Sequence, residues 1–378
     1  MISHMIWNGS PIIFSFDLPV LGTMSLRWYG LLFALGFLIS QQILYYMFRK
    51  EGKPEKDVDT LTIYMVVATI LGARLGHIIF YQPEIFIENP WGVLLPFEFS
   101  PEFKFTGLQG LASHGAAVGI LFGLWLYSLK KKPGQNYLQT LDRIVILVTL
   151  TGALIRTGNY FNSEIIGKPT NASYGVVFTG RVSEALEGEN NAANPVETVG
   201  VVKNDLLPNG ANGRVPISIY VFFKPGIDQN DANNFVTQNA QFYLTNLSEF
   251  VDQPPLTPLN YKLETEKTGN LVARIETFGI ARHAAQLYES ISCWLLFAFL
   301  LWYWSRYKEK LPAGRIFGIF MIVLWSFRFL YEFLKENQVA FEDNLTLNMG
   351  QILSIPLVIV GVFVLIWSYR QPAQNSHA

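Results

Sequence analysis

An uncharged run near the end of the chain, residues 351–369, reads QILSIPLVIVGVFVLIWSY and predicts a helix that crosses a membrane. A helix needs about 20 mostly apolar residues to span the hydrocarbon layer. The other stretches that meet this criterion lie at 28–48, 61–81, 110–129, 140–160, 286–304 and 315–334. The sequence therefore predicts an all-α polytopic membrane bundle of about seven transmembrane helices.

The composition agrees with a membrane protein. The chain has 378 residues, of which 50% are hydrophobic and 15% are charged, whereas soluble domains average about 25% charged residues. The net charge of -1 provides no broad basic surface for nucleic acid. The one cysteine, Cys293, lies in an apolar run. An internal disulfide and a cysteine-cluster metal site are therefore excluded, and a packed side chain is favoured.

Basic residues mark the loops expected on the cytoplasmic side. They follow the first, third and fifth predicted spans, at 49–56, 130–132 and 306–310, whereas the alternate loops contain few. The positive-inside rule therefore predicts an N-terminus outside and a C-terminus in the cytoplasm. The first 26 residues carry no Lys or Arg. We therefore expect no cleaved signal peptide there, but an interfacial segment on the outer face.

The long polar segment 161–285 joins the predicted fourth and fifth spans on the outer side. A loop of that length without structure is uncommon, so the segment predicts a folded head. Residues 215–223 are rich in β-branched side chains, and 261–266 and 270–278 alternate as the strands of a hairpin do. Residues 231–247 could form a helix between them. We therefore predict a small α+β extracytoplasmic head between helices four and five.

These patterns divide the chain into three parts. Residues 1–167 would hold the first four helices with the N-terminal interfacial segment, 168–281 the head, and 282–378 the last three helices and the C-terminal tail. The apolar stretch 91–97 is too short to span and could lie at the interface or re-enter the membrane.

Charged side chains within the predicted spans single out a candidate site. An arginine at the centre of a spanning helix costs about 2.5–3.5 kcal/mol on insertion scales. Arg74, Arg156 and Arg328 nevertheless lie within or near the outer ends of spans, with His77 and His114 nearby. A single arginine could snorkel to the interface or pair structurally. Several at the same level favour a functional site.

Two of the arginines have polar neighbours on the same helix face. Glu332 follows Arg328 by four residues, an order that adds little helix stability, so we expect Arg328 to bind an anion with Glu332 orienting it. The stretch RTGNYFNSE, residues 156–164, places Asn159 on the face of Arg156. Guanidinium and amide groups suit phosphate oxygens. An ordinary capped helix end is the alternative interpretation.

His114 could be a base, because a neutral imidazole can accept a proton near neutral pH. A structural histidine is the commoner case. The nearby spacing of Gly115 and Gly119 predicts close packing between helices.

Eight short motifs occur in order along the membrane part of the chain: RWYGL (27–31), GARLG (72–76), SHG (113–115), RTGNYFNSE (156–164), YGVVF (174–178), RHAAQLYE (282–289), FRFLYE (327–332) and MGQILS (349–354). Together they resemble the prolipoprotein diacylglyceryl transferase family of bacterial inner membranes. Two departures stand out. Lys335 stands where the family commonly has arginine, and residues 180–279 form a longer head than usual, onto which no family residue can be carried.

The resemblance implies transfer of the diacylglyceryl group of phosphatidylglycerol to the lipobox cysteine of a prolipoprotein signal peptide. A thioether would form and glycerol phosphate would leave, as the first step of lipoprotein maturation. It also implies an enzyme surrounded by membrane lipids that needs no metal and no cofactor. The chain has no H-E-x-x-H motif and no Cys/His cluster. The sequence identifies no partner for the enlarged head.

The resemblance also assigns roles. The catalytic candidates are Arg156 and Arg328, which would hold the phosphate, and His114, which would accept a proton or hold the lipid head. Asn159 would bind the glycerol head group. The remaining substrate-binding candidates are Glu164 and Glu332, which would orient the arginines, and Tyr29, Gly167, His283, Tyr288 and Glu289 around them.

Two other classes of protein could use the same residues. A transporter or channel for an anionic lipid needs charges in both halves of the membrane, and the chain lacks the inverted repeat that many transporters have. A lipid-binding scaffold could instead use the head as a docking module.

Overall fold

The computed structural model describes residues 4–18, 22–88, 90–93, 97–98, 104–105, 112–188, 193–267, 269–336 and 345–371. Helices dominate it. In chain order they are α1 (Trp28–Lys50), α2 (Lys56–Tyr81), α3 (Ile85–Glu88), α4 (Ser113–Ser128), α5 (Tyr137–Phe161), α6 (Gly180–Glu187), α7 (Gln229–Asn234), α8 (Gln241–Asn246), α9 (Ala285–Tyr307), α10 (Arg315–Glu332) and α11 (Met349–Arg370).

The strands are β1 (Met5–Trp7), β2 (Ile12–Leu18), β3 (Gly22–Arg27), β4 (Phe97–Glu98), β5 (Lys104–Phe105), β6 (Val176–Phe178), β7 (Val196–Lys203), β8 (Arg214–Phe223), β9 (Asn260–Thr265) and β10 (Leu271–Arg282). Six of them form one sheet in the order β1-β6-β10-β8-β7, with β9 also paired to β10. β2 pairs with β3, and β4 pairs with β5.

A helix forms in each of the seven predicted spans, and five of these helices are long and apolar enough to cross a membrane. Those five are α1, α2, α5, α9 and α11. α4 is a shorter apolar helix, and the first two residues of its predicted span, 110–111, lie outside the described residues. α10 has 18 residues and carries Arg315, Arg328 and Glu332. The count of seven spans therefore stays a prediction. In the apolar stretch 91–97, the described residues form the end of a short 3-10 helix, Pro90–Val93, and the start of β4.

The predicted elements of the head are confirmed. The three predicted strands are β8, β9 and β10, and β9 pairs with β10 as an antiparallel hairpin. The predicted helix at 231–247 is present as α7, a π-helical stretch (Phe235–Ala240) and α8. These helices bury Phe235, Val236 and Leu244 in the core of the sheet. The sequence did not predict the other strands of this sheet, β1, β6 and β7, and β1 pairs in parallel with β6.

The chain divides into two compact units. The first contains Met1–Ala34, Ala153–Ser292 and Phe327–Ile352, and the second contains Leu35–Gly152, Cys293–Ser326 and Leu353–Ala378. The first unit holds the sheet and its hydrophobic core. In this unit β10 ends at Arg282 and α9 begins at Ala285, so the central strand of the sheet leads almost directly into a membrane helix.

In the second unit, α2 and α4 pack through glycines, as the sequence predicted. A methyl group on Gly76 would lie 2.5 Å from Gly115 Cα, and one on Gly72 would lie 2.8 Å from Gly119 Cα. Only glycine permits backbones to approach this closely, so the small-residue spacing is confirmed as a packing feature.

Buried carboxylates join other helices of the second unit. Asp142 of α5 accepts hydrogen bonds from the backbone N–H groups of Gly314 (2.7 Å) and Phe317 (2.8 Å), which satisfies donors at the start of α10. Glu51, after α1, accepts from Arg143 at 2.8 Å and pairs with Lys53 at 2.6 Å. Burial lowers the pKa of Lys53 to about 8.

Candidate functional site

Arg156 lies near the end of α5, where two partners fix its guanidinium group. Its Nε lies 2.5 Å from Glu289 Oε2, and its Nη1 donates to Asn159 Oδ1 at 3.3 Å. Asn159 is on the next turn of the same helix, so the predicted shared face is confirmed. Glu289 belongs to α9. The pair therefore joins two helices whose predicted site residues are far apart in sequence.

Arg328 and Lys335 extend this pairing to α10. Arg328 Nη2 lies 3.6 Å from Glu332 Oε1, and Lys335 Nζ lies 3.3 Å from the same oxygen. Lys335 also pairs with Glu289. The five side chains therefore form one chain of ion pairs, Arg156–Glu289–Lys335–Glu332–Arg328, which we call the ion-pair cluster. The structure thus connects Arg156 and Arg328, two of the predicted site residues, through three intervening side chains.

Exposure differs along the ion-pair cluster. The side chains of Glu289, Glu332 and Lys335 are 9%, 8% and 4% exposed, whereas those of Arg156 and Arg328 are 22% and 31% exposed. The arginines are therefore its accessible ends. With three basic and two acidic members the cluster carries a net charge of +1. The excess positive charge lies on the accessible arginines, whose guanidinium groups are suited to bind an anion.

Glu164 does not pair directly with Arg156. It accepts from Asn159 Nδ2 at 3.2 Å and from Asn162 Nδ2 at 3.3 Å, and its ion-pair partner is Arg181 at 2.9 Å. Glu164 is therefore connected to Arg156 through Asn159, and Glu289 is the carboxylate that contacts Arg156 directly. Sequence reasoning missed Arg181 because it lies on α6, in the part of the head that matches no family motif.

Gly167 allows the backbone to close on the ion-pair cluster. Its N–H donates to the His283 carbonyl at 2.9 Å, and it forms a β-bridge with Lys335. A methyl group here would lie 2.7 Å from His283 Cβ and 2.8 Å from the Leu334 carbonyl oxygen. Glycine is required at this position because two neighbouring chain segments pass so close.

His283 lies just before α9, among aromatic side chains. Its Nδ1 is 3.4 Å from the Tyr288 hydroxyl, and its ring centroid is 5.9 Å from that of Tyr174. Burial lowers the pKa of His283 from its ordinary value. The neutral imidazole is therefore favoured, with one nitrogen available as a donor and the other as an acceptor.

Tyr29 lies at the start of α1 and packs on α5. A methyl group on Gly158 would lie 2.9 Å from Tyr29 Cα. Gly158 therefore allows the backbone of α1 to approach α5 closely at Tyr29. Gly158 lies two residues from Arg156 and one from Asn159 along α5, so Tyr29 packs beside the predicted site residues.

His114 and Arg74 belong to the second compact unit. His114 is exposed in the first turn of α4. Arg74 donates to the backbone carbonyls of Gly92 at 2.5 Å and Val93 at 3.2 Å. The role of His114 at the site stays a prediction.

Among the residues that the structure describes, no group of three or more His, Cys, Asp or Glu side chains could hold a metal ion. The predicted independence from metals stays a prediction.

Helices long and apolar enough to cross a membrane, together with charged side chains that form an ion-pair cluster with two accessible arginines, are typical of a membrane protein with a functional polar site. The comparison with known families is more specific. Residues 16–367 match the profile of the prolipoprotein diacylglyceryl transferase family. The chain belongs to this family.

Individual relatives match along nearly the whole chain. A protein of Bacteroides fragilis is 32% identical over 359 residues, covering 94% of this chain and 92% of the relative. One from Chloroherpeton thalassium is 31% identical, covering 98% and 96%. One from Tolumonas auensis is 28% identical, covering 98% and 100%. Each is named a phosphatidylglycerol–prolipoprotein diacylglyceryl transferase.

Proposed function

We propose that this protein transfers the diacylglyceryl group of phosphatidylglycerol to the thiol of a lipobox cysteine in a prolipoprotein signal peptide. The observation that carries the proposal is the ion-pair cluster, whose two accessible ends are Arg156 and Arg328. Family membership supports the reaction class, and the two accessible arginines of the cluster are cations that could hold the phosphate of the lipid.

The reaction breaks a carbon–oxygen bond and forms a carbon–sulfur bond. The thiol loses its proton, the sulfur attacks the glycerol carbon, and the bonding electrons leave with the phosphate oxygen. The phosphate thus changes from one negative charge toward two. Guanidinium groups that face it bind the transition state more strongly than the ground state, which is the requirement for catalysis.

The cluster geometry supports a division of roles. Glu289 and Glu332 fix the two arginines, and Lys335 between them keeps the net charge positive. We assign Asn159, whose amide contacts Arg156, to the glycerol head group of the donor. The remaining rim candidates, Tyr29, Gly167, His283 and Tyr288, belong to the same compact unit.

His114 is our candidate for the proton acceptor. A thiol has an ordinary pKa of about 8.5 and attacks as the thiolate, so a nearby base would speed the reaction at neutral pH.

The proposed setting is the bacterial inner membrane, with seven spans, the N-terminus and head outside, and the C-terminus in the cytoplasm. The basic loops after the first, third and fifth predicted spans support this orientation.

The proposal is tested with purified protein, a lipobox peptide and vesicles in which phosphatidylglycerol is the only donor. We expect the peptide to gain the mass of a diacylglyceryl group, and phosphatidylethanolamine vesicles to give no product. Arg156→Ala should lower turnover by about 100-fold or more, since removing one donor to a developing oxyanion costs that much. An absence of product with the wild type refutes the proposal, and lipid flux without product favours a transporter.

A further inference from the structure

The first helix of the head, α6, reaches the site through one side chain. Arg181 Nη2 lies 2.9 Å from Glu164 Oε1, and the two side chains are 32% and 38% exposed. α6 belongs to residues 180–279, the part of the head that resembles no family motif. A group from this segment therefore contacts a predicted substrate-binding residue.

Arg181 is itself held in place. Its Nη1 lies 3.3 Å from Glu184, and the other oxygen of Glu184 lies 3.0 Å from Arg27. At the start of α6, Ser183 donates a hydrogen bond to Asn8 Oδ1 at 2.8 Å. Arg181 is thus fixed by a carboxylate on each side, and α6 is fixed by the N-terminal segment.

Glu164 transmits this position to Arg156. One of its oxygens accepts from Arg181 and the other accepts from Asn159 Nδ2 at 3.2 Å. With its nitrogen directed to Glu164, Asn159 presents its oxygen to Arg156 Nη1 at 3.3 Å. The relay therefore runs from Arg181 through Glu164 and Asn159 to the guanidinium group of Arg156.

We propose that Arg181 is a positioning residue that holds the Glu164 carboxylate on Asn159 and away from Arg156. A carboxylate one side chain away competes with a lipid phosphate for the same guanidinium group, because both are oxyanions that suit its fork. By pairing with Glu164, Arg181 leaves Arg156 to the phosphate. The enlarged head thereby tunes the affinity of the site for its anionic donor. This inference rests on the proposed function.

The kinetic test compares Arg181→Ala with Arg274→Ala, which removes another head arginine of equal exposure, paired with Glu276 at 2.6 Å. Arg181→Ala should raise the KM for phosphatidylglycerol roughly tenfold, because small displacements of positioned groups have effects of this order or more. The KM for the lipobox peptide should change little. Arg181→Lys should restore part of the donor affinity, and Arg274→Ala should match the wild type.

The second test asks whether Arg181 acts through Glu164. When Glu164 is already replaced by glutamine (Glu164→Gln), adding Arg181→Ala should change the KM for phosphatidylglycerol little further, since the carboxylate charge that Arg181 restrains is gone. An equal effect in both backgrounds overturns the proposal, as does an equal change in both KM values or a result that matches Arg274→Ala.

A binding measurement keeps the two proposals separable. Native mass spectrometry of the purified protein with phosphatidylglycerol, and with phosphatidylethanolamine as reference, reports donor affinity without turnover. Weaker phosphatidylglycerol binding by Arg181→Ala in a protein that makes no product would refute the proposed function and support the role of Arg181. Unchanged binding in an active enzyme overturns the role of Arg181 alone.

Discussion

Lys335→Met should destabilise the protein strongly, because Lys335 joins the two halves of the ion-pair cluster. The lysine side chain is 4% exposed, lies 3.3 Å from Glu332 and also pairs with Glu289. Methionine is similar in length and apolar, so the change removes the charge with little change in volume. Two nearly buried carboxylates then lose the cation between them.

The size of the effect follows from what each carboxylate retains. Breaking a buried ion pair costs about 3–5 kcal/mol. Glu289 still contacts Arg156, and Glu332 still contacts Arg328, so the loss should fall at the lower end, about 3 kcal/mol. At about 2–4 °C per kcal/mol, the melting temperature should fall by roughly 6–12 °C.

Thermal unfolding in detergent, followed by tryptophan fluorescence, measures this shift. The control is Arg49→Met, which removes a cation from an ion pair whose side chains are 60% and 54% exposed, and it should change the melting temperature little. A Lys335→Met protein that melts within 2 °C of the wild type, a change of about 1 kcal/mol or less, would refute the assignment of a buried lysine that stabilises two carboxylates.

Two further predictions concern the backbone and the histidine beside the cluster. Gly167→Ala should lower the melting temperature and the transfer activity, since its methyl group would lie 2.7 Å from His283 Cβ. The matched control is Gly30→Ala, whose methyl group would meet no atom within 4 Å. Equal results for the two variants would contradict the close approach at Gly167. Because burial lowers the pKa of His283, the unfolded state binds more protons just below the ordinary value of about 6.5, so stability should fall as pH falls through that window. Melting temperatures between pH 7.5 and 5.5 should therefore fall more steeply for the wild type than for His283→Gln, and parallel curves would disprove the prediction.

Local patterns were sufficient to predict the helices in the seven apolar runs and three strands of the head, β8, β9 and β10. Apolar runs located the helices because each turn of a spanning helix must face lipid or a neighbouring helix. The alternation of apolar and polar residues located β9 and β10, because successive side chains along a strand point to opposite faces of the sheet. The pairing of β1 with β6 was not predicted, because partners about 170 residues apart leave no local signal in a three-residue strand.

The candidate site was predictable where its contacts are local. Arg328 with Glu332 and Arg156 with Asn159 are one helix turn apart, so their spacing alone indicated that they meet. The contact of Arg156 with Glu289 joins two helices and could not be read from spacing. The family resemblance led us to expect that Glu164 orients an arginine of the site, whereas its ion-pair partner is Arg181, on the head helix α6.

The ion-pair cluster also constrains the order in which the protein can mature during synthesis. About 130 residues separate Arg156 from Glu289, and Lys335 follows later still. A ribosome adds about 5–20 residues per second, so Arg156 is made many seconds before its carboxylate partner exists. Until then α5 carries an unbalanced guanidinium group, which must remain hydrated near the membrane surface or shielded by another protein. The nascent chain can complete its site only when the last helices emerge.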